Sequence, residues 1–136
     1  MKKPSLKTLQ KNNWDICRKI IRLRDGNTCS LCDSPYELQV DHCFSRMCRE
    51  LYYDTSNLTL LCGSCHTLKS FNKKDKILEV FEHVEAREGL GKFSQMRAIA
   101  RSHRPFKDWS KRAYQEEIKE NLTKQLEDAM KELIHE

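Results

Sequence analysis

The chain has 136 residues, of which 33% are charged and 38% hydrophobic, and its formal net charge is +5. This length predicts one domain, and the modest hydrophobic content leaves only a small central core. No apolar run is long enough to span a membrane, and Met1-Lys2-Lys3 is not followed by the apolar segment of a signal peptide. We therefore expect a cytoplasmic protein with reduced cysteines, and we exclude an integral membrane protein.

The charge is unevenly distributed along the chain. Residues 1–24 carry a net charge of +7 and residues 66–112 carry +6, whereas residues 25–65 and 113–136 carry −4 each. Two basic segments therefore flank an acidic centre, which suits a polyanion such as DNA held on both sides of a metal site. A solvated charged surface would give the same pattern, so charge alone does not decide between these two interpretations.

The first predicted element is an amphipathic helix over residues 5–23. Leucine, isoleucine and cysteine side chains recur there at helical spacing, and Ser5 can cap the start. Lysine and arginine cover the other sides of this helix, either to contact phosphates or simply to be solvated. Asp25-Gly26-Asn27 then predicts a turn that ends the helix.

Four of the seven cysteines form two Cys-x-x-Cys pairs, Cys29 with Cys32 and Cys62 with Cys65. Each pair supplies two thiolates at the spacing of a zinc knuckle, and four thiolates satisfy tetrahedral zinc. We therefore predict a structural zinc ion, which would compensate for the small hydrophobic core. Free thiols are expected at the three remaining cysteines, Cys17, Cys43 and Cys48.

Two strands are predicted on either side of a long loop. Residues 37–42 alternate well enough for a first strand, and residues 57–62 form a second strand that would pair with it. Neighbouring residues on a regular strand point to opposite faces of the sheet. We therefore expect the first strand to end or bulge at Asp41 and His42, so that both side chains serve one site.

Residues 76–136 predict a helical extension to a core formed by residues 1–75. The extension is interrupted at residues 89–91 and at 104–105, which divides it into three helices. The last helix carries a long apolar stripe, which we expect either to dock on the core or to form a homodimer. The basic stretch 97–112 also contains aromatic residues. It either binds DNA or forms the solvated side of a pair of helices.

The order of these residues resembles the HNH endonuclease family, the ββα-metal nucleases. The resemblance is carried by Arg24-Asp25-Gly26-Asn27-Thr28-Cys29, Asp41-His42, Asn57-Leu58 and Cys62-x-x-Cys65-His66-x-x-Lys69-Ser70. It covers about a third of the chain and implies an α+β fold, with a zinc-stapled ββα-metal core, an N-terminal helix and a helical C-terminal extension. The implied function is a metal-dependent DNA endonuclease that hydrolyses phosphodiester bonds.

The resemblance also implies a role for each matching residue. His42 would be the general base, and Asn57 would hold the loop that orients it. Asp41 and His66 would bind a catalytic Mg²⁺ or Mn²⁺. Neighbouring phosphates are expected to contact three further side chains, those of Arg46, Arg49 and Lys69. The sequence departs from many relatives directly after His42, where Cys43 to Cys48 replace an Ile, a Pro and a Gly-rich turn, so we expect a different substrate-contacting loop.

Two alternatives remain open at the level of sequence. A non-catalytic, zinc-stabilised adaptor for nucleic acid would need the four cysteines but would have no use for Asp41, His42 and His66 together. A nuclease for RNA, or a restriction-type nuclease for modified DNA, would share the same catalytic residues. The helical tail also resembles phage recombination endonucleases of the NinG/Rap type, which favours DNA processing or recombination associated with phages or mobile elements.

Overall fold

A computed structural model describes residues 2–71 and 73–134. It contains helices α1 (Leu6–Arg24), α2 (Gly63–Ser70), α3 (Lys74–Glu88), α4 (Leu90–Ser102) and α5 (Arg112–Ile134), and strands β1 (Leu38–His42) and β2 (Leu58–Cys62). The predicted α+β class is confirmed, with one helix before the hairpin and further helices after it. The last two residues of the predicted extension, His135 and Glu136, lie outside the described residues.

Helix α1 begins and ends as its sequence predicts. The side-chain oxygen of Ser5 accepts a hydrogen bond from the backbone N–H of Thr8 and so caps the first turn. After Arg24 the backbone turns through Gly26 and Asn27, whose φ angles of 69° and 56° lie in the left-handed region. Glycine adopts this conformation without strain and asparagine tolerates it better than most residues, which explains why the helix stops here.

Strands β1 and β2 form an antiparallel hairpin in regular register. His42 pairs with Leu58, Val40 with Leu60, and Asp41 with Thr59. The strand ends at His42 as expected, but its pairing stays regular to that last residue, so the bulge offered as the other possibility is not formed. Asp41 and His42 therefore point to opposite faces of the sheet.

Strand β2 is buried on both faces, whereas β1 is only partly buried. One hydrophobic cluster joins the hairpin to α1 and α5, and its fully buried members include Ile21, Leu58, Leu60 and Leu122. A second cluster joins the cysteine-rich unit to α3 and α4. Both clusters contain residues from each side of the boundary placed between residues 75 and 76, and that boundary stays a prediction.

The apolar stripe of α5 packs against α1 within the same chain from Ile118 to Leu126, whereas Met130 and Leu133 at its end are exposed. Leu122 is only 1% exposed and belongs to the cluster that contains Cys17 and Ile21 of α1. Of the two expectations for this stripe, docking on the core is therefore observed, and a homodimer through α5 is not supported. None of the helices in ranges 2–71 and 73–134 is long and apolar enough to cross a membrane.

Two details of the helical extension differ from the sequence prediction. The break between α3 and α4 falls at Gly89 alone, where φ is 88°, and Gly91 lies inside α4. Trp109 does not belong to the last helix but to a 3₁₀ turn, Lys107–Ser110, that precedes it. This turn places the indole of Trp109 beside the loop that connects the two strands.

Candidate functional site

The four paired cysteines come together in one cluster. The Sγ atoms of Cys29, Cys32, Cys62 and Cys65 all lie within 4.8 Å of one another, and those of Cys32 and Cys62 are 3.6 Å apart. A tetrahedral zinc ion with Zn–S bonds of about 2.3 Å holds its sulfurs about 3.8 Å apart. The donor set and the spacing therefore indicate a structural zinc site.

This cluster fixes the start of α2. The Sγ atom of Cys62 accepts a hydrogen bond from the backbone N–H of Cys65 at 3.4 Å and caps the helix, which begins at Gly63. His66 follows Cys65 directly in the chain. A metal held by these thiolates would therefore also fix the backbone that carries His66.

The second group of chemically active residues joins β1 to α2. Asp41 on β1 is 3% exposed, and its Oδ1 lies 3.2 Å from Nδ1 of His66. The ammonium of Lys69 lies 3.1 Å from Oδ2 of Asp41 and donates a 2.9 Å hydrogen bond to the backbone carbonyl of His42. His66 and Lys69 share a face of α2 because they are three positions apart.

Two buried atoms in this group lack hydrogen-bond partners among the described residues. They are Oδ2 of Asp41 and Nδ1 of His66, and the ammonium of Lys69 meets Oδ2 only as an ion pair without hydrogen-bond geometry. Buried polar atoms are nearly always hydrogen-bonded, so an orphaned carboxylate oxygen beside an orphaned imidazole nitrogen suggests a further ligand. Carboxylate oxygen is a donor that Mg²⁺ and Mn²⁺ prefer, and imidazole nitrogen is a ligand of transition metals, so the pair can hold a divalent cation and suits Mn²⁺ better than Mg²⁺.

Burial sets the electrostatics of Asp41. Burial raises the pKa of its carboxyl group, and the neighbouring Lys69 and His66 offset only part of that increase. A cation bound near Asp41 would lower this pKa, because it stabilises the charged form of the carboxyl group that burial disfavours.

His42 lies on the opposite face of the hairpin, in an aromatic setting. Its ring stacks on the indole of Trp14 with centroids 4.9 Å apart and planes 12° apart, and the ring of Tyr52 is 4.7 Å away. The Nε2 atom of His42 is 3.1 Å from the backbone carbonyl oxygen of Tyr52. A carbonyl only accepts hydrogen bonds, so Nε2 carries the hydrogen and Nδ1 of the neutral ring is left as an acceptor.

The surroundings keep the His42 ring neutral. Burial, together with the positive charges of Lys69, Arg46 and Arg49, lowers the pKa of His42 to about 4, against the opposing effect of the Tyr52 carbonyl. The imidazole is therefore unprotonated at neutral pH. Its unprotonated nitrogen has the form that a general base requires.

Asn57 holds the loop that separates His42 from Tyr52. Its side chain is fully buried, accepts a hydrogen bond from the N–H of Phe44 at 2.8 Å, and donates to the carbonyls of Phe44 and Leu51 at 3.1 and 3.2 Å. These three bonds tie both ends of the loop to the start of β2. The loop conformation near His42 therefore depends on one amide group.

The predicted phosphate-binding side chains differ in their surroundings. The guanidinium of Arg49 lies over the ring of Trp109 at 4.6 Å and near Tyr52 at 5.5 Å, whereas Arg46 is exposed to solvent. Lys69 is engaged with Asp41. Of the three, only Arg46 stands free of such contacts in the part of the chain that the structure describes.

The structure thus brings together some of the predicted residues and separates others. Asp41, His66 and Lys69 form one group, while the ring of His42 packs with Trp14 on the other side of the strand. The link between the two is the bond from Lys69 to the carbonyl of His42. The sequence analysis did not single out Trp14, Tyr52 or Trp109 as neighbours of the site, because their meeting depends on how α1 and the turn before α5 dock.

The two other buried thiols are not part of either group. Cys17 and Cys43 are free, and burial raises the pKa of each to about 12. Both thiols are therefore protonated at neutral pH and unreactive as nucleophiles.

Comparison with known proteins yields one match. A family model described as HNH endonuclease matches residues 29–72, about a third of the chain. The matched segment begins at the first cysteine of the cluster and includes the hairpin and α2, which confirms the resemblance to this family of DNA-cleaving nucleases. No curated protein and no solved structure matches the chain.

Proposed function

We propose that this chain, which carries an HNH-family segment, is a metal-dependent endonuclease that hydrolyses phosphodiester bonds of DNA. The observation that carries the proposal is the pair of orphaned atoms, Oδ2 of Asp41 and Nδ1 of His66, buried side by side within the matched segment. Single unpaired buried atoms occur elsewhere in the described residues, at Asn13 and Arg112, but only here do a carboxylate and an imidazole, both metal-binding groups, contact each other.

Asp41 and His66 would hold the divalent cation. When bound there, Mg²⁺ or Mn²⁺ would act as a Lewis acid on the phosphate and stabilise the charge that develops on the leaving oxygen. Because Asp41 lies on β1 and His66 on α2, the cation would also cross-link the hairpin to the helix. The cysteine cluster supports this geometry, since it fixes the start of α2 one residue before His66.

His42 would take a proton from the attacking water at Nδ1. Its Nε2 is already committed to the carbonyl of Tyr52, and stacking on Trp14 fixes the plane of the ring. Because His42 and the proposed metal ligand Asp41 point to opposite faces of β1, the attacking water would have to lie at the end of this strand, next to the substrate. Asn57 supports this step indirectly, because it holds the loop between His42 and Tyr52.

The positive charges around His42 would bind the phosphates of the strand. Lys69, Arg46 and Arg49 lie close enough to lower the pKa of His42. A bound phosphate would offset these charges, so the basicity of His42 would rise when substrate is present. The basic segments 1–24 and 66–112 would attract the polyanion over a longer range.

The proposal extends to the biological setting. The resemblance of the helical tail to phage recombination endonucleases supports a role in processing phage or mobile-element DNA.

A His42→Ala variant tests the catalytic proposal. The variant should keep its zinc and its affinity for DNA but lose cleavage of plasmid DNA by about 10²–10⁴-fold, the usual contribution of a general base. His83→Ala, a histidine on α3 outside the site, is the matched control and should cleave at the wild-type rate. Cleavage by His42→Ala at the wild-type rate, after a contaminating nuclease has been excluded, would show that the base is misassigned.

A His66→Ala variant tests the metal site separately. Its activity should also fall, but through weaker metal binding, so raising the Mn²⁺ concentration should restore part of it. The same Mn²⁺ should not rescue His42→Ala. Equal rescue of both variants would contradict the division of roles.

One observation favours a second candidate, a zinc-stabilised DNA-binding adaptor without catalysis. The ammonium of Lys69 already neutralises Asp41, so this carboxylate has a cation beside it even without metal. An adaptor would bind DNA but would show no nicking in Mg²⁺ or Mn²⁺. Wild-type protein that binds plasmid DNA yet leaves it supercoiled in both metals would establish this alternative.

A further inference from the structure

A groove with mixed apolar and basic walls lies next to the proposed catalytic residues. It encloses about 440 Å³ between the loop that follows His42 and the C-terminal end of α4. Its principal lining side chains are those of Phe44, Met47, Arg49, His103, Arg104 and Phe106. This volume suits a small planar group and falls within the range of ligand pockets.

The walls of the groove are apolar inside and positive at the rim. Phe44 and Phe106 supply aromatic surface, and Met47 is 76% exposed, although it is a large apolar side chain. Arg49 and Arg104 line the same groove, and no carboxylate is among its lining residues, all of which the structure describes. The occupant that this combination favours has an apolar flat part and a negative charge.

The groove is formed in part by the loop that begins directly after His42. Phe44 follows His42 by two residues, a distance of at most about 7 Å along the backbone. Arg49 stacks on Tyr52, whose carbonyl accepts the hydrogen bond from His42. A base in the groove would therefore lie close along the strand to a phosphate at His42.

We propose that the groove binds an unpaired nucleobase of the DNA strand, close to the scissile phosphate. The base would stack against Phe106 and Met47, while Arg104 and Arg49 would contact its flanking phosphates. A base in an intact duplex is covered on both faces and cannot enter, so the groove would favour DNA that is locally unpaired. This inference rests on the proposed function and adds a preference to it.

Equilibrium binding measures this preference directly. Fluorescence anisotropy would compare a fully paired duplex with the same duplex carrying a short unpaired bubble, without added magnesium or manganese. Wild-type protein should bind the bubble about tenfold more tightly, because base stacking on apolar and aromatic side chains has about this effect. Met47→Ala and Phe106→Ala should each reduce the preference to about twofold or less and leave affinity for the paired duplex unchanged.

Matched variants separate stacking from charge. Met130→Ala removes an exposed methionine of α5 that does not line the groove and should keep the full preference. Arg104→Ala should weaken binding to both DNA substrates, because it removes a phosphate contact. Phe106 also packs on Tyr114, so Phe106→Ala could fail to fold for that reason alone. In that case the Met47→Ala variant, at an exposed position, tests by itself whether the groove binds a base.

The possible outcomes distinguish a failure of the groove assignment from a failure of the nuclease proposal. Equal affinity of the wild type for both substrates, or an undiminished preference in Met47→Ala, would overturn the groove assignment while leaving the nuclease proposal intact, provided that plasmid DNA is cleaved. A wild type that neither binds nor cleaves any DNA would overturn both proposals.

Discussion

The ammonium of Lys69 lies 3.1 Å from Oδ2 of Asp41, on the carboxylate that we propose as a metal ligand. Its second contact, to the carbonyl of His42, holds it in place. A divalent cation bound to Asp41 would meet this positive charge at short range, and two like charges in a buried site repel each other strongly. Lys69 therefore competes with the metal for the carboxylate.

Replacing Lys69 by methionine should increase the affinity for Mg²⁺ and Mn²⁺. Removal of one unit charge a few ångströms from a divalent cation should raise that affinity by about tenfold or more, with an effective dielectric constant of about 20. Calorimetric titration of zinc-loaded protein measures the affinity without any need for cleavage. Lys92→Met is the matched control, because it breaks a similar ion pair, with Asp54 at 3.3 Å, outside the site. Weaker metal binding by Lys69→Met would mean that Lys69 supports the site.

The cysteine cluster should hold about one zinc ion per chain. Cys62 would ligate the metal and also caps α2, so Cys62→Ser should lose both the ion and cooperative unfolding. A structural zinc ion contributes about 10–16 kcal/mol of apparent binding energy, which is as large as the whole stability of a typical domain. Elemental analysis and thermal unfolding measure the two effects.

Cys48→Ser is the matched control for this prediction, because Cys48 is a free thiol outside the cluster. It should keep the metal and unfold near the wild-type temperature. Purified wild-type protein without near-stoichiometric zinc, or a stable Cys62→Ser variant, would contradict the assignment.

Local spacing in the sequence was enough to predict some parts of the site and not others. Two residues separate the members of each cysteine pair, and His66 follows the second pair directly, so short-range geometry determines these placements. The stacking of His42 on Trp14 instead joins residues 28 positions apart through the docking of α1 on the hairpin. Periodicity identifies the apolar side of α1 but not which side chain of the hairpin it meets.

The covering of α5 illustrates the same limit. Its apolar stripe was evident from helical spacing, yet spacing alone could not distinguish a second copy of the chain from another part of the same chain. Packing within the same chain depends on buried polar residues, and these do not recur at helical spacing in the sequence. Asn13 and Gln115 are 102 positions apart, and each is fully buried against the other.

Asn57→Asp should destabilise the protein without a change in side-chain shape. The substitution removes the two donors that bind the carbonyls of Phe44 and Leu51 and places carboxylate oxygens against them. Buried carbonyls that lose their partners, together with a buried charge, should lower the free energy of unfolding by about 2–4 kcal/mol. Urea unfolding measures this loss, and Asn121→Asp, on the exposed side of α5, should change stability by less than about 0.5 kcal/mol. Equal stability of the two variants would show that the loop does not depend on Asn57.

A buried polar network fastens α5 to α1 and to the hairpin loop. The side-chain oxygen of Gln115 accepts hydrogen bonds from Asn13 and from the hydroxyl of Tyr53, each at 3.0 Å. Its amide group donates to the carbonyl of Trp109, also at 3.0 Å. One side chain therefore connects the C-terminal helix, the N-terminal helix, the loop and the turn that carries Trp109.

Gln115→Leu should lower the free energy of unfolding by about 1–3 kcal/mol, because Asn13 and Tyr53 each lose one acceptor and keep only the backbone carbonyls of residue 115 and Gln10, and the carbonyl of Trp109 loses its donor. Asn13→Leu should cost less in the Gln115→Leu background than in the wild type, since the hydrogen bond between the two side chains is already lost, and a double-mutant cycle should give a coupling of about 1 kcal/mol. Gln95→Leu, on an exposed part of α4, is the matched control and should be nearly neutral. Sedimentation should find one chain per particle for the wild type, because α1 already packs on the α5 stripe as far as Leu126. A strictly additive cycle, or a wild-type dimer that dissociates in Gln115→Leu, would mean that α5 is held by another surface.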